Sequence, residues 1–330
     1  MAVGITIAID AMSGDEGAKI VVPAAIAFLQ RQESRTGSLQ KKQAFNIILV
    51  GRQDELRALL SGSENTSISI VHAETVVGMN DRPSHVLRKK QDSSMSVALG
   101  LVRDGKADAC VSAGNTGALM ILGRSILGMH PGIDRPAITK LFPSRGGGCF
   151  VLDLGANVDS SAEQLLQFAL MGQLLAQTIK NIETAKVALL NVGGESIKGN
   201  EQVRLADSLI KENVAINYVG FAEGGDIFRS KADVIVCDGF VGNVALKSAE
   251  GAAIILLDGV REFFRASWYR KILGRLVMPL LKGTLKQLDP DNHNGASFLG
   301  LKGVLVKSHG HVNADSFEQA IELAAREAEV

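Results

Sequence analysis

The 330-residue chain has 46% hydrophobic and 21% charged residues, globular proportions that exclude a disordered, fibrous or polytopic membrane protein. Lysine plus arginine balances aspartate plus glutamate at 35 each, so no global field recruits nucleic acid, and a charged partner must be met by a local patch. At this length one large α/β domain and two closely joined lobes are both open.

In chain order, β-branched runs alternate with Gly/Asn/Asp-rich turns and longer amphipathic stretches. This is the pattern of βα units feeding a mainly parallel sheet with helices on both faces. Strands are expected at 5–10, 45–50, 67–72, 107–112, 148–154, 186–192, 215–220, 232–237 and 303–307. Helices are expected at 18–31, 52–60, 84–103, 116–128, 161–180, 201–212, 243–266 and 314–328, where apolar residues recur three and four apart. The polar run RQESRTGSLQKKQ at 31–43 reads as a surface loop.

MAVGITIAID lacks a basic leader and a long apolar core, and no segment reaches the ~18 unbroken apolar residues of a membrane span. Cys110, Cys149 and Cys237 are odd in number, far apart and set in apolar runs. That predicts buried, reduced thiols in a cytosolic protein.

Strand ends lead into AIDAMSGDEG, VSAGNTGALM, VLDLGANVD, LLNVGGESIKGN, VCDGFVGNVALK and KSHGHVN. In a parallel sheet this carboxyl edge is where ligands bind. Glycine lets backbone N–H groups approach an anion, and the following helix N-terminus adds a favourable dipole. One such turn is an ordinary tight connection; six on one edge point to a phosphate-binding cleft.

Other motifs fail. GLVRDGKA at 100–107 approaches a phosphate-binding loop, but Ala107 stands where a magnesium-holding Ser/Thr is needed and the glycines follow a helix. G-x-G-x-x-G, H-E-x-x-H, C-x-x-C and G-x-S-x-G are all missing. The six histidines are scattered; only His309 and His311 lie close together, and a loop residue satisfied by backbone is the reading of His309 preferred over a catalytic one.

Eight runs carry a specific resemblance: IAIDAMSGDEG (7–17), RKKQDSSMSVAL (88–99), ADACVSAGNTGALM (107–120), GIDRPAI (132–138), LDLGANVD (152–159), LLNVGGESIKGNE (189–201), DGFVGNVALKSAEG (238–251) and GASFLGLKGVLVKSHG (295–310). From end to end they resemble the phosphate acyltransferases of bacterial phospholipid synthesis. The first turn departs from the family, with Ser13 in place of glycine and Ala18 in place of proline.

The resemblance implies a homodimeric α/β enzyme whose fold is similar to the phosphate acetyltransferases and the isocitrate dehydrogenase group. It implies transfer of a fatty acyl group from an acyl-carrier-protein thioester to inorganic phosphate, giving acyl phosphate, with no cofactor or metal. Rival readings are a phosphate acetyltransferase-like enzyme using coenzyme A thioesters, a metal-dependent dehydrogenase of similar fold, and a non-catalytic lipid-linked binding protein.

The resemblance points to Lys198 and Asn243 as the functional pair. At their turns an ammonium can neutralise phosphate and an amide can donate to the developing oxyanion. Asp10, Gly114, Asn115, Thr116, Asp153, Asn157, Gly242 and His309 form the expected substrate-binding set. The alternatives are that Asn115, Asn157 and Asn243 cap helices and that Lys198 is a solvated loop charge.

From Arg261 to Lys286, seven basic residues stand against Glu262 alone, and Phe264, Trp268, Ile272, Leu276, Leu280 and others follow helical spacing. Pro279 predicts a break near Met278, giving a basic hairpin over 255–288 with an apolar tip. Trp268, Arg275, Met278, Leu280, Leu281 and Lys282 are its expected contacts. Three partners are open: anionic lipid at the inner face of the membrane, an acidic acyl carrier protein, or a second copy of the chain.

Overall fold

The computed structural model describes residues 4–35, 44–62, 65–144 and 146–329, and its backbone separates into two units, Met1–Lys140 with Asn294–Val330, and Leu141–His293. The first begins with β1 (Ile5–Asp10), α1 (Ala18–Arg35), β2 (Phe45–Gly51), α2 (Gln53–Leu60), β3 (Ile68–His72), α3 (Pro83–Lys89), α4 (Ser94–Arg103), β4 (Ala109–Ser112), α5 (Thr116–Ile126) and β5 (Ala137–Phe142). The second holds β6 (Cys149–Leu152), α6 (Ala162–Lys180), β7 (Val187–Leu190), α7 (Glu201–Glu212), β8 (Tyr218–Ala222), β9 (Val234–Val236), α8 (Gly239–Arg265) and α9 (Trp268–Leu288). The chain then completes the first unit with β10 (Ala296–Leu299), β11 (Val304–Lys307) and α10 (Ala314–Ala328).

In the first unit the strand order is β3-β2-β1-β4-β11-β10-β5, with β10 antiparallel to both neighbours and the other pairings parallel. In the second it is β6-β9-β7-β8, all parallel. Because β1, β4 and β11 run the same way, the turns that follow them leave one edge of their unit. The turns after β6, β9 and β7 do the same in theirs.

Strands covered on both faces read as nearly continuous apolar runs, and β1 and β4 show it. Ile7, Ile9 and Val111 are fully buried with Phe28 of α1 and Phe317 of α10. Truncating either phenylalanine to alanine would cost about 3–5 kcal/mol. Above this core Arg31 pairs with Glu318 at 2.9 Å, and Gln32 donates to Glu322 at 2.8 Å.

The structure corrects several expectations. β5 and β10 are absent from the expected strands: both carry buried polar residues, such as Thr139 and Ser297, and lack a directly following helix to mark them as βα units. The helix expected over 84–103 is split, because the Ser93 hydroxyl accepts from Ser96 N at 3.3 Å and starts α4 afresh. Residues 31–35 of the expected loop belong to α1, and 36–43 lie outside the described residues.

The expected break near Met278 is also absent, since α9 runs through Pro279. Pro279 is exposed, so water can take the carbonyl that the ring leaves unpartnered. The chain turns instead at Ala266–Ser267, where Ser267 is extended, and Gly274 of α9 lets the Phe264 ring of α8 approach closely.

Candidate active site

The second unit's carboxyl edge is built on a buried carboxylate. Asp153, one residue beyond β6, accepts from Gly155 N at 3.1 Å and Ala156 N at 3.0 Å through Oδ1. Through Oδ2 it accepts from Asn157 N at 2.6 Å and Asn157 Nδ2 at 2.9 Å. Asn157 thus folds the LGAN turn around Asp153 and caps no helix; Ser161 caps α6.

The next turn locks onto this one. Gly239 N donates to Asn157 O at 2.8 Å, and a methyl group at Gly242 would lie 1.9 Å from Asp153 O, so only glycine admits the contact. The helix expected to begin at Asn243 begins four residues earlier, where Asp238 accepts from Val241 N at 2.9 Å. Asn243 therefore stands in the second turn of α8, exposed, with its Cβ 3.5 Å from where a Cβ on Gly155 would lie. Aspartate just before an apolar helical run is a sequence signal for this start.

Lys198 lies in the turn after β7, its side chain half exposed and paired with Glu195 at 2.8 Å. The Glu195 carboxylate holds the ammonium above its ordinary value, so Lys198 is cationic at neutral pH. Asn191 orders the loop by donating to Gly193 O at 3.0 Å and Glu195 O at 3.1 Å. Glu195, three residues before the lysine, went unmarked in the sequence although GESIK holds the spacing of a local ion pair. Lys198 thus follows β7, and Asn243 stands in the helix that follows its hydrogen-bonded neighbour β9.

In the first unit, Asp10 is buried and accepts from the Ser112 hydroxyl at 2.7 Å. Burial raises its pKa against the opposing effect of the Ser94 and Ser112 hydroxyls. Ser13 donates to Asp10 O at 2.8 Å and accepts from Ala113 N at 2.9 Å, so the serine that departs from the family splices the turns after β1 and β4. Gly114 is buried where a Cβ would collide with Met95.

Asn115 is a helix cap: its Oδ1 accepts from Ala118 N at 2.9 Å, and its Nδ2 donates to Met79 O at 2.6 Å and Asp81 O at 3.3 Å. Thr116 opens α5. His309 N donates to the buried Asn294 at 3.0 Å, and Lys307 donates to Ser308 O next door.

All three cysteines are free and buried, and desolvation pushes their pKa values up, to about 12 for Cys149, so none is a thiolate nucleophile. Among the described residues, no three His, Cys, Asp or Glu side chains are grouped to hold a metal ion.

On the hairpin, Trp268, Arg275, Leu280, Leu281 and Lys282 are exposed and Met278 is half-buried. The turn carries an aromatic cluster in which Arg270 stacks 4.5 Å from the Phe263 ring centre. By length and composition alone α8 is the one helix among the described residues apolar enough to cross a membrane.

The family model described as fatty acid synthesis protein matches residues 5–330. A phosphate acyltransferase from Marinobacter nauticus is 54% identical over 326 residues, covering 99% of this chain and 93% of that protein. Another from Alcanivorax borkumensis is 48% identical, covering 98% and 94%. A solved phosphotransacetylase from Streptococcus pyogenes is similar with TM-score 0.63 at 16% identity, over 99% of this chain and 94% of that one; at such identity the likeness shows the fold alone. With about half of all positions shared over nearly its whole length, the chain belongs to the phosphate acyltransferase family of fatty-acid and phospholipid synthesis.

Proposed function

We propose that the protein transfers a fatty acyl group from an acyl-carrier-protein thioester to inorganic phosphate, releasing acyl phosphate and the carrier thiol. The observation that carries this reading is that an exposed, protonated Lys198 follows β7 and an exposed Asn243 stands in the helix that follows the neighbouring strand β9, in a chain of this family.

A phosphate oxygen attacks the thioester carbonyl carbon, the C–S bond breaks, and the phosphate's proton passes to the leaving thiolate. No protein nucleophile is required. Lys198 draws in the phosphate charge, and Asn243 Nδ2 donates to the carbonyl oxygen as it becomes anionic. The Lys198–Glu195 pair is solvent-exposed and hence weak, so the ammonium can exchange one carboxylate for phosphate. Asp153, Asn157 and Gly242 hold Asn243 in place. In the first unit, Asp10, Gly114, Asn115, Thr116 and His309 shape turns of their own carboxyl edge, whose backbone N–H groups offer an anion a place to bind.

In the same reading the enzyme is a cytoplasmic homodimer, and α9, with Arg270, Lys271, Arg275 and Lys282 and no acidic residue, meets the acidic carrier or an anionic membrane. Sedimentation with anionic vesicles separates the two: a Leu280→Glu, Leu281→Glu variant that binds as the parent does removes the lipid contact.

The deciding assay mixes protein, long-chain acyl carrier and labelled phosphate and follows acid-labile acyl phosphate, with acetyl-coenzyme A as the rival donor. Formation only from the carrier thioester is expected. Preference for acetyl-coenzyme A, or no acyl phosphate at all, overturns the reading.

A further inference from the structure

The turns around Lys198 and Asn243 expose apolar side chains at positions where the chain's own core takes none. Phe240 and Val244 of α8 are 62% and 50% exposed. Phe240 lies three residues before Asn243 and four before Val244, so it neighbours both on the surface of α8. In the Lys198 turn, Val192 and Ile197 are 82% and 80% exposed. Single exposed apolar residues need no explanation, while four on the two segments that carry Lys198 and Asn243 do.

We propose that Phe240 and Val244, with Val192 and Ile197 on the neighbouring turn, set the preference for long acyl chains by holding the alkyl segment next to the thioester carbonyl. The inference rests on the acyl-transfer reading above. A carbonyl polarised by Asn243 carries its alkyl chain away from the same point, and Phe240, one helical turn before Asn243, and Val244 beside it are the apolar side chains of α8 next to that point. The occupant is therefore a saturated hydrocarbon chain, bound by area and without hydrogen bonds. Discrimination of this kind grows with each methylene brought into contact.

The test reads binding without phosphate, so that failure of transfer and failure of chain selection remain separate results. Palmitoyl and butyryl thioesters of the same carrier protein are titrated by calorimetry into the parent and into a Phe240→Ser, Val244→Ser variant, and a Val192→Ser, Ile197→Ser variant serves as the second arm. All four side chains are exposed, so both variants should fold. The parent should prefer the palmitoyl form, and the first variant should lose on the order of tenfold of that preference while butyryl binding is unchanged. Equal weakening of both thioesters, or a preference that survives in both variants, overturns the proposal. So does a loss of preference that coincides with a change in oligomeric mass by sedimentation, which would make this face a contact between copies of the chain.

Discussion

The carboxyl edges of the two units are written in the same residues, glycine, asparagine and aspartate after a strand, yet they use them differently. In the first unit the polar groups are consumed by scaffolding: Asp10 is met by Ser112, Ser13 by Ala113, and both ends of the Asn115 amide by backbone. In the second, Asp153 and Asn157 do the scaffolding and leave Lys198 and Asn243 facing solvent. Turn chemistry of one kind becomes scaffold where it is buried and stays open to a ligand where it is exposed, because a buried polar group is spent on its partner.

The sharpest way to break that comparison is Lys198→Ala or Asn243→Ala. Each should lower acyl phosphate turnover by roughly a hundred- to a thousandfold with thermal unfolding unchanged, since neither side chain is part of the core. A normal rate in either folded variant removes that residue from the pair.

Next in size is Gly242→Ala, whose methyl has no room beside Asp153 O and should cost about 3 kcal/mol in urea unfolding, lowering activity through the displaced Asn243. Asn115→Ala makes the direct contrast with Asn243→Ala. Losing a helix cap and two backbone contacts should cost about 1–2 kcal/mol of stability, with a drop in turnover below about tenfold. If Asn115→Ala instead matched Asn243→Ala in rate loss at unchanged stability, the two edges would not differ as described.

The smallest effect is the pH dependence of Asp10→Asn. Burial holds the folded-state pKa above the ordinary 3.8, so between the two values the folded protein binds more protons than the unfolded chain. The contribution of Asp10 to stability therefore falls as pH rises through the raised value. The variant should gain on the parent as pH rises and lose that margin on acidification, as read from paired melting curves. A difference flat with pH would mean that Asp10 titrates as an exposed carboxylate does.

Much of this was legible in the residues alone. Nine strands of the expected pattern formed, because β-branched runs bounded by glycine have few other stable uses. The short β10 escaped notice because its pairing partners, β5 and β11, are distant in sequence or opposite in direction. Pro279 misled for a related reason: its cost depends on whether the orphaned carbonyl meets water, which only the placement of α9 decides. The site was legible as six turns, but not as two sets of three with different duties.

By itself the sequence determined the family, the βα order and which turns leave the carboxyl ends of the strands, since these follow from local patterns and long matching runs. The tertiary structure alone decided which polar side chains are consumed. It placed Asn243 in the second turn of a helix capped by Asp238, tied Lys198 to Glu195, and closed Asn115 onto Met79 and Asp81. Burial and partnership are properties of neighbours brought together in space, and no single residue's identity contains them.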